Sequence, residues 1–150
     1  LNVLKKYNSR IRTVFKPHAI TDIKKVKELL SKINYSNYVI DYGHPIILSS
    51  RAKFVFGNVY SGTMFDAYYM GRPVVEYSYF DPEFFEGMGR ESYGGKCCDF
   101  FSRRDQKKLD LIVDNLVNDR VNVSRDPKFI QDNFPDTPKE FYELWRKILA

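Results

Sequence analysis

Apolar positions along the chain change their period several times. Short β-branched or aromatic runs read as strands: Ile11–Phe15 (IRTVF), Tyr38–Ile40 (YVI), Lys53–Phe56 (KFVF) and Pro73–Tyr77 (PVVEY). Cys97–Phe101 reads as a last short strand. Between these runs the spacing turns helical. Thr21 is placed to cap a helix through Asn34, with Ile23, Val26, Leu29, Leu30 and Ile33 on one face. Pro45 opens a short helix to Arg51, and a further helix to about Met70 stops at Gly71. Arg104–Asn118 is helical with Leu109, Ile112, Val113, Leu116 and Val117 inward. Residues 1–9 read as the end of a helix and Asp126–Asn133 as a short one. Thr137-Pro138-Lys139-Glu140 is a capping box that opens a last helix to Ala150. Residues 78–96 form a long irregular segment rich in Gly, Glu, Phe and Tyr, a kind of loop that often carries function.

Short apolar strands alternating with helices predict an α/β domain. Its sheet is Rossmann-like and mostly parallel, with helices on both faces. The whole of 1–150 reads as one domain. Ligands of such sheets sit outside the carboxyl ends of the strands. The residues that follow each strand are therefore the candidates: Lys16-Pro17-His18, Asp41-Tyr42-Gly43-His44, Gly57 to Thr63, and Ser78-Tyr79-Phe80-Asp81. Both histidines of the chain fall there.

Ser61-Gly62-Thr63 opens a helix directly after a strand. A helix start offers free backbone N–H groups and the positive end of the dipole. Gly62 leaves the backbone open to an anion, and Ser61 and Thr63 add hydroxyl donors. This is the pattern of a phosphate cradle; the plainer reading is that Ser61 caps its helix. Asp66, one turn on, lies in reach of the sugar hydroxyls of a nucleotide held there, or is a solvated carboxylate favourable to the dipole. Lys16, His18, His44 and Arg90 are candidate phosphate contacts against the alternative of ordinary surface or turn residues. His18 is also the candidate proton-transfer group. Tyr42 and Tyr79 are candidates to stack on a base.

Composition narrows the choice. A net charge of +5 suits a phosphorylated ligand, and no Arg-rich stripe argues for nucleic acid. Aromatics reach 16%, enough to line a cleft as well as a core. The two cysteines, Cys97 and Cys98, are adjacent, so they provide no disulfide framework and read as core residues of an intracellular protein. No spaced His/Cys cluster suggests zinc and no acidic triplet a catalytic metal; neither a cofactor nor a metal is expected. No apolar run has the length of a membrane span. The expected location is the cytoplasm, with a peripheral position at the inner face of the membrane as its extension.

The order of the motifs resembles the C-terminal nucleotide-binding half of GT-B fold transferases. Within that superfamily it is most similar to the CDP-glycerol glycerophosphotransferase and capsule polymerase family. The residues that carry the likeness are Lys16-Pro17-His18, Tyr60-Ser61-Gly62-Thr63, Phe65-Asp66, Arg72-Pro73, Tyr77, Asp81 and Arg90 to Tyr93, in that order. Ala19 stands where the family has a second proline, and Gly62 where it has a second serine. The resemblance implies that His18 and Ser61–Thr63 contact the diphosphate of a nucleotide donor, and that Asp66 lies near its ribose. The donor stays open between CDP-glycerol and a UDP-sugar. The implied activity is transfer of a glycosyl or glycerophosphoryl group in surface polysaccharide or teichoic-acid-type polymer synthesis. The implied partner is an N-terminal acceptor-binding half. The chain begins with Leu1, and the expectation is a piece of a longer two-domain enzyme that alone binds the nucleotide part of the donor and catalyses little. Two other readings remain: a noncatalytic interaction domain with a vestigial nucleotide site, and an enzyme like UDP-GlcNAc 2-epimerase on the same architecture.

Overall fold

The computed structural model describes residues 2–58, 61–78, 83 and 92–133. Helix α1 (Asn2–Lys5) leads into strand β1 (Thr13–Phe15), helix α2 (Ile23–Lys32), strand β2 (Tyr38–Ile40) and helix α3 (Pro45–Arg51). Strand β3 (Val55–Gly57), helix α4 (Thr63–Tyr69) and strand β4 (Val74–Ser78) follow. A 3-10 turn (Gly95–Cys97) then precedes strand β5 (Phe100–Arg103), helix α5 (Gln106–Val117) and helix α6 (Pro127–Asn133).

Every ladder is parallel, as the alternating pattern predicts. The expectation of one continuous sheet needs correction. Among the described residues β1 and β2 form one sheet, and β3, β4 and β5 form another in that order. Strands β1, β2 and β3 have three residues each, which leaves few backbone groups for a further ladder. Apolar packing joins the two sheets instead. Phe15 and Tyr38 of the first share a core with Phe56, Val75, Tyr77 and Phe100 of the second, under Leu30 of α2, Leu4 of α1 and Leu109, Val113 and Leu116 of α5. On the other face of β4, Val74 packs with Met64, Ala67 and Tyr68 of α4 and with Phe129 and Ile130 of α6. Val74 and Val75 thus point to opposite helical layers, as alternation along a strand requires. This explains why the run reads as continuously apolar: both faces are buried.

Local corrections have simple causes. Asp22, not Thr21, caps α2, because its Oδ1 accepts from the Lys24 and Lys25 amides at 3.0 and 3.2 Å. Leu29 lies at the margin of the α2 stripe and is 58% exposed. The last strand starts three residues later than expected. Asp99 there uses its carboxylate to accept the Val74 amide at 2.8 Å, while Gly95 takes a left-handed φ of 52° in the preceding turn. The five apolar positions of α5 are all buried, and Asp105 caps it. The helix expected from Thr137 lies outside the described residues.

Candidate functional site

The carboxyl ends of β2 and β3 meet through the helices that follow them. Pro45 fixes the first turn of α3, and His44 caps it: its Nδ1 accepts from the Ile46 amide at 3.3 Å. In the neutral ring this leaves the proton on Nε2, which can donate outward. Asp41, at the end of β2, turns the chain by accepting the Gly43 amide at 2.7 Å. Helix α3 packs along α4, and this sets His44 near Asp66. Burial raises the Asp66 carboxyl above its ordinary range, and the charge of His44 draws it part of the way back.

Helix α4 sits on β3 because Gly57 has no side chain. A Cβ there would lie 2.1 Å from Met64 Cγ. The N-cap of α4 is Gly62, with no side-chain capping bond. The reading of Ser61 as a cap is therefore corrected: its carbonyl accepts the Met64 amide, and its hydroxyl has no partner among the described residues. The amides of Gly62 and Thr63 are likewise without a partner among the described residues. Gly62 has ordinary right-handed helical dihedrals, so its role is space rather than conformation. An added Cβ there would meet nothing within 4 Å.

His44, Asp66, Ser61, Gly62 and Thr63 thus belong to one edge built by α3 and α4. His18 and Lys16 stand apart by their bonding. The His18 ring accepts the Ile20 amide at 3.5 Å, and Lys16 Nζ donates to the Pro17 carbonyl at 3.4 Å, so among the described residues both are engaged within their own exposed turn. Tyr42 is 69% exposed at the end of β2. Arg90, Tyr60, Tyr79 and Asp81 lie outside the described residues. Tyr77, named in the resemblance, packs into the core. An open groove of about 840 Å³ lies elsewhere, between the end of α2 and β2, lined by Lys27, Asn34 and Tyr38 among others. None of the expected site residues lines it.

Sequence reasoning missed Glu76. It is fully buried in β4, and its carboxylate accepts the Tyr93 and Gly94 amides at 3.0 and 2.9 Å. The available signal was a charged residue inside an apolar run read as a buried strand. Cys97 is buried as expected. Burial, with the Glu76 charge nearby, pushes the Cys98 thiol up to about 11, which suits an inert core thiol. Among the described residues no group of three or more His, Cys, Asp or Glu side chains is placed to hold a metal ion, and no helix is long and apolar enough to cross a membrane. No family model, curated protein or solved structure matches this chain.

Proposed function

We propose that this chain is the nucleotide-binding part of a transferase that takes a glycosyl or glycerophosphoryl group from a nucleotide-diphosphate donor, within a Rossmann-like half of a GT-B architecture. The observation that carries the reading is the edge where α3 and α4 begin. The amides of Gly62 and Thr63 have no partner among the described residues, and a Cβ added at Gly62 would meet nothing within 4 Å. Asp66 lies on the same first turn, its amide on the Gly62 carbonyl, and His44 stands near Asp66.

In this reading the diphosphate accepts from the Gly62 and Thr63 amides and the two hydroxyls, and His44 Nε2 donates to it. Asp66 accepts from ribose hydroxyls. These donors would stabilise charge on the leaving diphosphate as the bond to the transferred group breaks. His18 remains the candidate for proton transfer to or from the acceptor.

Calorimetric and amide-NMR titration of the chain with CDP, UDP, GDP and ADP tests the reading. Saturable binding of one base, with shifts at Gly62 and Thr63, is the expected result. Ser61→Ala with Thr63→Ala should weaken that binding by about tenfold or more, the loss of two hydrogen bonds to a charged group. No response to any of the four nucleotides, or shifts confined to other surfaces, would remove the assignment and favour the interaction-domain alternative.

A further inference from the structure

Glu76 occupies an unusual place for a carboxylate. It lies in the central strand β4, level with Gly57 of β3 and Phe101 of β5, and is inaccessible to solvent. By alternation it shares the face of Val74, the face that α4 covers. Burying an ionisable group unpaired costs several kcal/mol, so a folded chain keeps one only where its oxygens are satisfied. Here two consecutive amides, of Tyr93 and Gly94, satisfy one oxygen each. The chain that returns from the 79–91 segment is thereby tied to β4, near the carboxyl edge of the sheet.

The tie has a consequence at α4. Tyr93 is held with its ring 6.1 Å from that of Phe65, on the first turn of the helix and next to Asp66. Ser92 is buried too, and its Oγ accepts the Gly95 amide at 3.1 Å, so the turn is closed on itself beyond the latch. Gly94 fits closely: a Cβ there would lie 3.0 Å from Cys98 Cβ and 3.5 Å from Glu76 Oε2.

We infer that Glu76 is a positioning residue of the α4 edge: its carboxylate latches Tyr93–Gly94 to β4 and so sets Tyr93 against Phe65 beside the proposed donor site. The effect on ligand binding rests on the donor-site reading, whereas the latch stands on its own hydrogen bonds.

The test uses Glu76→Gln in the full chain. Glutamine keeps one acceptor and turns an NH2 group toward the other amide. Amide exchange at Tyr93 and Gly94 should accelerate by about tenfold or more, while amides of α5 keep their protection. Unchanged exchange at Tyr93 and Gly94 would overturn the latch. Where wild-type chain binds CDP or UDP, the variant should bind about tenfold more weakly. Val113→Ala, on the opposite face of the sheet, should lower the melting point and leave that affinity intact. Equal affinity of wild type and Glu76→Gln would overturn the positioning role while leaving the donor site standing. Failure of wild type to bind any nucleotide would instead defeat the donor reading, and amide exchange would still judge the latch. Should Glu76→Gln not fold, Gly94→Ala makes the same test by pushing the turn off an intact carboxylate. It should reproduce the faster exchange at Tyr93, and normal protection there would overturn the latch.

Discussion

Replacing Arg125 with alanine removes a side chain that ties the end of α4 to the start of β5. The guanidinium donates to both oxygens of Asp99, Nη1 to Oδ1 at 2.5 Å and Nη2 to Oδ2 at 2.9 Å. It also donates to the Tyr68 carbonyl at 3.1 Å and the Arg72 carbonyl at 2.6 Å, and stacks 4.0 Å above the Tyr68 ring. The two charged side chains are only 14% and 12% exposed. Loss of the arginine therefore leaves a largely buried carboxylate with the Val74 amide as its remaining donor among the described residues, and takes one donor from the Arg72 carbonyl and one from the Tyr68 carbonyl, which keeps the Gly71 amide. Breaking one partner of a buried pair costs about 3–5 kcal/mol, a large share of the ~5–15 kcal/mol that holds a domain of this size together. Urea unfolding of Arg125→Ala should show that loss as a fall in midpoint at constant slope. Asp99→Asn and the double variant complete a cycle, with a coupling energy of about 2 kcal/mol or more expected for groups in direct contact. Arg125→Lys should recover little, because an ammonium cannot reproduce the planar fork. A destabilisation below about 1 kcal/mol, or strict additivity of the two single variants, would refute the clamp.

Asp66→Asn should raise the melting temperature at neutral pH, because the carboxyl is raised by burial and its charged form opposes folding. The folded group keeps its proton to higher pH than the unfolded one. Its destabilising effect therefore sets in as pH rises above the ordinary carboxylate value of 3.8 and is complete above the raised value, so melts of the two proteins should converge below 3.8. Tyr7→Phe should lower the melting temperature at neutral pH by removing a 2.7 Å hydrogen bond from the Tyr7 hydroxyl to Asp114, which ties the end of the first helical turn to α5. That bond is the main cause holding the Asp114 carboxyl below its ordinary range, so the deficit should shrink as acid titrates Asp114. Iodoacetamide should alkylate Cys98 slowly in the folded chain at pH 8: a thiol moved from 9.0 to about 11 has about a hundredfold less thiolate, and mass spectrometry of timed samples reads the rate. Gly57→Ala should destabilise the chain by crowding Met64, seen as a lower urea midpoint; an unchanged midpoint would mean that α4 shifts freely on β3.

What local pattern controls was legible in the sequence, and what distant partners control was not. The α5 stripe could be read because five apolar residues at helical spacing have one way to be buried together. Pro45 could be read as a helix start because its fixed φ and missing N–H act within one turn. The edge of α3 and α4 could be named in advance because strand–helix alternation alone puts Asp41–His44 and Gly57–Thr63 after strands. Its bonding could not. Ser61 looked like a cap, yet Gly62 takes that position, and no side chain caps the helix. His44 reads as a phosphate contact, and the sequence does not show that one ring nitrogen is spent on the Ile46 amide. The split between the sheets, the latch at Glu76 and the clamp at Arg125 all depend on residues 17 or more positions apart in the chain, which no window of local pattern contains. These contacts share a direction. Arg125 fastens the carboxyl-terminal end of α4, Gly57 lets its first turn sit on β3, and Glu76 sets Tyr93 beside that same turn. A seven-residue helix has too little intrinsic stability to hold its own amides in place. The packing at both ends of α4 does so, and it fixes the first turn that carries the Gly62 and Thr63 amides.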